Sequence, residues 1–278
     1  INNNGLSIPN FGDYGDVRAL AELAYEAEQS GWDGFFVWDH LNLPEPQPMV
    51  DPWVALTAIA LRTSRIRLGP MVTPIPRRRP WKLARETLSI EQVSNGRLIL
   101  GVGLGYFPQE EFAHFGDEPD AKLRAAMLDE GLAMLAGFWS GRPFTFEGEH
   151  FRAENVHMLP APLQQPRIPV WVAGVWPNKA PFRRAARWDG VFPIGNSPAP
   201  LSPAQIDEIV AYVRQQRADD TPFDVVYGYK LTGEDPIADV AAVTPYRAAG
   251  LTWWVESPEG CSLAEMRERI RRGPPRDK

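Results

Sequence analysis

The strongest constraint on this chain is a rhythm. Eight short runs rich in β-branched and aromatic residues recur along it, each followed by a segment of helical period. They cover 6–9, 34–39, 66–72, 98–103, 169–174, 190–195, 224–230 and 252–256. Most lack the apolar–polar alternation of a half-exposed strand. Leu98-Ile99-Leu100-Gly101-Val102 and Val170-Trp171-Val172-Ala173 read as strands covered on both faces, the habit of parallel sheets. Helix signals stand between the runs. Asp51-Pro52 and Ser202-Pro203 each set a capping side chain before a proline suited to a first turn, and Ser262 with Glu265 spells a capping box. Val17, Leu20, Ala24 and Ala27 share a stripe that ends at Gly31; Leu83, Thr87, Ile90 and Val93 share another before Gly96. Pro245 is expected to bend or end the seventh helix near Thr244.

Eight βα units in 278 residues predict an α/β fold, a closed (β/α)8 TIM barrel, as a single domain over 1–278. A two-domain doubly wound arrangement is the competing architecture. The rhythm breaks only at 142–162, where 144–151 reads as a hairpin turning near Gly148, a β-hairpin insertion after the fourth helix.

Composition bounds the partners. A chain 44% hydrophobic and 23% charged has enough apolar surface for one large core. Net charge −6 and a pI near 5.4 argue against nucleic acid, which needs a basic surface. No apolar run reaches the roughly 18 to 20 residues of a membrane helix, and Ile1-Asn2-Asn3-Asn4 has none of the marks of a signal peptide. With a single cysteine, Cys261, the expectation is a cytoplasmic protein. His114, His150 and His157 lack metal-site spacing, so no metal is expected, and without a G-x-S-x-G motif hydrolase chemistry has no support.

A parallel barrel carries its ligand at the C-terminal ends of its strands, which gives weight to four places. Trp38-Asp39-His40 ends the second strand, with carboxylate and imidazole on oppositely facing positions; a simple loop cap is the plainer alternative. The glycines of Gly101-Val102-Gly103-Leu104-Gly105-Tyr106 admit either a flat ligand or phosphate close to the backbone, or a tight corner of the barrel, and they do not spell G-x-G-x-x-G. Gly174-Val175-Trp176 precedes Asn178, which either caps an ordinary helix or begins a phosphate site that Lys179 would assist. Arg77-Arg78-Arg79 either recognises an anionic group or is solvated. Together these describe a barrel enzyme whose aromatic, partly cationic mouth suits a planar phosphorylated ligand.

At these same segments the chain resembles the bacterial luciferase-like monooxygenase superfamily of flavin and deazaflavin oxidoreductases. The matching stretches are 27–41 (AEQSGWDGFFVWDHL), 51–74, 80–105 (PWKLARETLSIEQVSNGRLILGVGLG) and 169–195, in order and spacing over about 5–260. The resemblance implies FMN or coenzyme F420 as cofactor. It implies ring contacts from Asp39 and His40, backbone contacts at Met71, Val72 and Thr73 with a non-proline cis peptide at Met71–Val72, and packing near Gly103, Gly105 and Tyr106. The cofactor phosphate is expected near Gly174, Val175 and Trp176. His40 is the expected general acid or base with Asp39 beside it, and Trp38, Phe107 and Arg77 are expected toward a small organic substrate. FMN members use reduced flavin with O2, drawn from a separate flavin reductase; deazaflavin members transfer hydride. Some deazaflavin dehydrogenases carry a glutamate directly after the fourth strand, where this chain has Tyr106, with Glu110 and Glu111 only later. A homodimer is also implied. The alternative of a different class is a flavin-binding barrel without catalysis.

Overall fold

The computed structural model describes residues 2–258 and 260–276; Ile1, Glu259, Asp277 and Lys278 lie outside the described residues. The first half runs β1 (Asn3–Ile8), α1 (Val17–Gln29), β2 (Gly34–Val37), α2 (Pro52–Arg62), β3 (Arg67–Pro70), β4 (Thr73–Pro74), α3 (Pro80–Ser94), β5 (Leu100–Gly103) and α4 (Ala121–Trp139). The second continues with β6 (Phe144–Glu147), β7 (Arg152–Val156), β8 (Val170–Val175), α5 (Lys179–Ala185), β9 (Gly190–Ile194), α6 (Pro203–Gln216), β10 (Asp224–Tyr227), α7 (Pro236–Ala248), β11 (Trp253–Glu256) and α8 (Leu263–Arg271).

Nine parallel strands lie in the order β3-β2-β1-β11-β10-β9-β8-β5-β4. β3 and β4 are two halves of one barrel strand, separated at the cis Met71–Val72 peptide, and both halves meet β5. Thr73 and Pro74 lie beside Val102 and Gly103. Lower down, Ile99 N donates to Leu68 O at 2.9 Å and Leu68 N to Arg97 O at 3.2 Å. These bonds bring the eight strand positions into a ring. The seam is so close that a Cβ on Gly69 would stand 1.7 Å from the Ile99 carbonyl oxygen, which only glycine avoids. Outside the ring, β6 and β7 pair antiparallel between α4 and β8.

The inward faces of the strands are filled by aromatic rings. Phe36, Trp171 and Trp253 meet with centroids 5.1 to 5.9 Å apart, ringed by Met71, Ile99, Val226 and Val255. The outward faces, including Leu6, Phe35 and Val37, pack with Leu20, Leu23 and Leu56 of the surrounding helices. Asp51, Ser202 and Ser262 cap α2, α6 and α8, the last two in full capping boxes. One expectation is corrected and another is narrowed. Val93 is exposed, and the buried face of α3 takes Glu91 instead, tolerable because its carboxylate accepts from Gln164 N and Nε2 at 2.9 and 3.0 Å. Of the two outcomes expected at Pro245, an end near Thr244 is ruled out: α7 passes through the proline to Ala248, because the turn beyond it is held by packing, with Tyr246 buried and its ring 5.8 Å from Tyr227 and 5.4 Å from Trp254.

The aromatic plug separates two cavities. One, of about 640 Å³, lies at the N-terminal strand ends, where most of its charged groups are engaged: Arg276 pairs with Asp33, Arg67 donates to Gln164 and Gly96, and Asp224 accepts from Trp171 and Thr252. The other, of about 1150 Å³, opens at the C-terminal strand ends. Among the described residues, no helix is long and apolar enough to cross a membrane.

Candidate active site

The alternation that sends Phe36 into the barrel and Val37 out continues past the end of β2. Trp38 and His40 both line the mouth cavity. Asp39 turns toward the neighbouring strand, where Thr73 Oγ1 donates to its Oδ2 at 2.6 Å. Arg77 Nη2 reaches Asp39 Oδ1 and the backbone oxygen at 2.6 and 2.5 Å, and Arg78 Nη2 reaches both carboxylate oxygens at 2.8 and 2.7 Å. Burial pushes the Asp39 carboxyl up, but the charges of Arg78 and Arg77 and the Thr73 bond outweigh it and hold the group below the ordinary carboxylate range.

Arg77 also approaches Glu111, its Nη1 lying 2.8 Å from Oε2 but off the N–H direction, so that the contact is an ion pair rather than a hydrogen bond. The other oxygen of Glu111 accepts from Leu41 N at 2.7 Å and stands 3.2 Å from His40 Nδ1. Burial again pushes this carboxyl up, and the His40 bond, the Arg77 charge and the Leu41 N–H bring it below its ordinary value. A carboxylate has no proton to give, so Nδ1 is the donor and the lone pair of a neutral ring sits on Nε2. Asn10 fixes the backbone below, its Nδ2 donating to His40 O at 2.9 Å and its Oδ1 accepting from His40 N at 3.2 Å. Phe11, Trp38 and Phe107 surround the imidazole at centroid distances of 5.6 to 5.9 Å. The side chain of His40 is 18% exposed and that of Glu111 1%. The result is a carboxylate–imidazole pair of fixed orientation, backed by a compensated cluster of two arginines and two acids.

Glu111 is the residue that sequence reasoning left without a role. The segment after β5 coils through Glu111 N to Phe107 O at 2.9 Å, and Asn42 Nδ2 clasps Glu110 O at 3.1 Å, which returns the side chain to the end of β2. A buried aromatic directly after paired acids, Phe112, was the available signal. Arg124 steadies the same loop, donating to Leu104 O at 2.8 Å from above the Phe112 ring.

Of the expected site residues, Trp38, Asp39, His40, Met71, Val72, Gly103, Gly105, Tyr106, Phe107, Gly174 and Val175 line the cavity. Thr73, Arg77 and Trp176 do not. Thr73 and Arg77 are spent on Asp39, and Trp176 is buried against Phe182 at 5.0 Å. Lys179, which only the phosphate-site alternative would have used, lies 3.4 Å over the Trp176 ring, where cation–π attraction holds it. The space that Gly103 leaves open is taken by Val72, and Gly105 turns at φ +88 against Phe112. The glycine run is therefore also a tight corner. Asn178 caps α5, accepting from Ala180 N at 3.3 Å.

Fold and site together define a parallel (β/α)8 barrel with an acid–imidazole pair facing an aromatic cavity at its strand ends. The chain belongs to the luciferase-like monooxygenase family, whose model matches residues 5–269. The F420-dependent glucose-6-phosphate dehydrogenase of Gordonia bronchialis is 35% identical over 173 residues, 60% of this chain and 50% of that enzyme. The matched stretch thus spans half the length of that relative. A solved F420-dependent secondary alcohol dehydrogenase, in complex with an F420–acetone adduct, superimposes with a TM-score of 0.79 at 17% identity over 99% of both chains. The monooxygenase RslO1 from Streptomyces bottropensis does so at 0.78 and 20% identity, covering 97% of this chain and 96% of its own. At such identities the likeness is one of fold.

Proposed function

We infer that the protein is a deazaflavin-dependent oxidoreductase that moves hydride between coenzyme F420 and a small organic substrate. The observation that carries this reading is His40: Glu111 orders its Nδ1, leaving Nε2 as a proton acceptor directed into a largely apolar cavity of about 1150 Å³. The residues present suit such a cofactor. Val72, Gly103 and Tyr106 offer apolar and backbone surface for a planar ring, and Gly174 and Val175 would lie toward its phosphate. When bound, the deazaflavin supplies a carbon centre that takes or gives hydride. The chain's own part is to hold the substrate carbinol beside that ring, to exclude water with Trp38, Phe107 and Phe11, and to receive the hydroxyl proton at His40 Nε2. Asp39 acts through position: fixed by Thr73, Arg77 and Arg78, it sets the strand end from which His40 projects.

The only partner this reading needs is the small-molecule substrate; the FMN alternative would add O2 and a separate flavin reductase. Titrating apoprotein with F420 and, separately, with FMN while following cofactor fluorescence tests it. Saturable micromolar F420 binding with weaker FMN binding is expected. The reverse preference would reassign the protein to flavin chemistry. Stopped-flow mixing distinguishes the non-catalytic barrel, because a bound cofactor whose redox state no substrate changes would remove the enzyme reading.

A further inference from the structure

The charge around the mouth cavity deepens that reading, on which this inference rests, by restricting the substrate. Among the described residues that line the cavity, the cations are Lys122 and Arg184, apart from the titratable His40. Arg184 is committed elsewhere. Its Nε and Nη2 each lie 2.8 Å from an oxygen of Asp129, and Nη2 also donates to Ala125 O at 3.2 Å. Arg77 and Arg78, of the basic run that could have bound an anion or been solvated, are neutralised by Asp39 and Glu111. Lys122 remains, on the first turn of α4 beside the start of α5, which is the side where Gly174 and Val175 receive the cofactor phosphate in the reading above.

The rest of the rim points the other way. β11 stands four strand positions from β5 in either direction around the ring, so Ser257, just past its end, faces the α4 side across the barrel. From there to the loop after β2 the lining, which includes Ser257, Phe11, Leu43, Glu45 and Gln47, is apolar, hydroxylic or amide with one added carboxylate and no cation among the described residues. Asp39 and Glu111 on the floor of that side are balanced by Arg77 and Arg78, so the cluster offers an anion no free cation. An anionic substrate that shares the cavity with a phosphorylated cofactor would be stripped of water there with no uncommitted cation to replace it. Such a mismatch rejects by the absence of a partner as well as by repulsion.

We propose that the substrate is an uncharged alcohol or the matching carbonyl compound, and that phosphorylated or carboxylated analogues are excluded. In the oxidising direction the carbinol C–H bond breaks and its electron pair leaves as hydride to the oxidised deazaflavin. The O–H bond breaks, its proton passes to His40 Nε2, and the C=O double bond forms. The site differs in this respect from what the name of the Gordonia bronchialis relative says of its own substrate, a sugar phosphate.

Matched pairs that differ only in charge test this. F420-loaded protein is offered 4-methylcyclohexanol against 4-hydroxycyclohexanecarboxylate, and glucose against glucose 6-phosphate, with turnover read by loss of F420 absorbance and binding by calorimetry. The neutral member of a pair should bind and turn over, with kcat/KM at least about 100-fold above its anionic partner, the scale of leaving a charge unpaired. Ser257→Lys should then raise affinity for the carboxylate about 10-fold relative to 4-methylcyclohexanol. Equal or better use of the anionic members, or a loaded protein that binds no member of either pair, overturns the proposal. So does a Ser257→Lys variant with no gain for the carboxylate. Failure to bind F420 at all is a separate result, which removes the cofactor reading and the proposal with it.

Discussion

At the scale of single residues, function concentrates in one imidazole and the carboxylate behind it. Replacing His40 by alanine should leave the fold and F420 affinity intact while kcat falls by about 100- to 10,000-fold, the usual worth of a positioned acid or base; an unchanged rate would take the proton from some other group. Glu111→Gln is more discriminating. The amide keeps the shape and can still bond Leu41 N, but it no longer fixes Nδ1 as the donor or supplies charge to the ring. Its kcat should drop while F420 affinity holds, because the ring is no longer fixed with its Nε2 lone pair as the proton acceptor. A kcat equal to the parent's would reduce Glu111 to packing.

Elements are held by different physics in different places. Local signals set the helix starts, through side-chain caps that each contribute about 1 kcal/mol. The last helix is fixed by a buried ion pair. Arg269 Nε and Nη2 lie 2.9 and 2.6 Å from the two oxygens of Glu256 at the end of β11, and Nη1 donates to Gly273 O at 2.7 Å. Burial pushes the Glu256 carboxyl up to about 7 even with the guanidinium beside it. Arg269→Met should therefore cost about 3–5 kcal/mol in urea unfolding, and adding Glu256→Leu should recover part of it, since the loss comes from the orphaned acid. Single and double variants of equal stability would contradict this origin.

For the whole molecule, the acid cluster ties stability to pH. Asp39 and Glu111 have folded-state pKa values below their ordinary 3.8 and 4.5, so the unfolded chain takes up protons first as pH falls. Their contribution is complete above about pH 5 and is lost as pH drops through the folded values. Calorimetry should show a melting temperature that declines below about pH 4, and Glu111→Gln should flatten that decline; an acid limb the same in both proteins would place the titrating groups elsewhere. The barrel interior makes an independent demand. Trp171→Ala would open the plug between the two cavities and should cost about 3–5 kcal/mol.

What the sequence determined by itself was the repeating architecture: the period of apolar runs, the caps and the residues that end each strand are local properties, so the barrel and the placement of Trp38 and His40 at its mouth were legible. The tertiary structure decided which charges meet. Arg77 was expected at the substrate and is consumed by Asp39, Lys179, left open between a phosphate and an ordinary helix start, rests on Trp176, and Glu111 closes onto His40 from 71 residues away. Compensation of charge in a dry site acts through space and depends on distance and desolvation, and neither quantity is written in the spacing of residues along a chain.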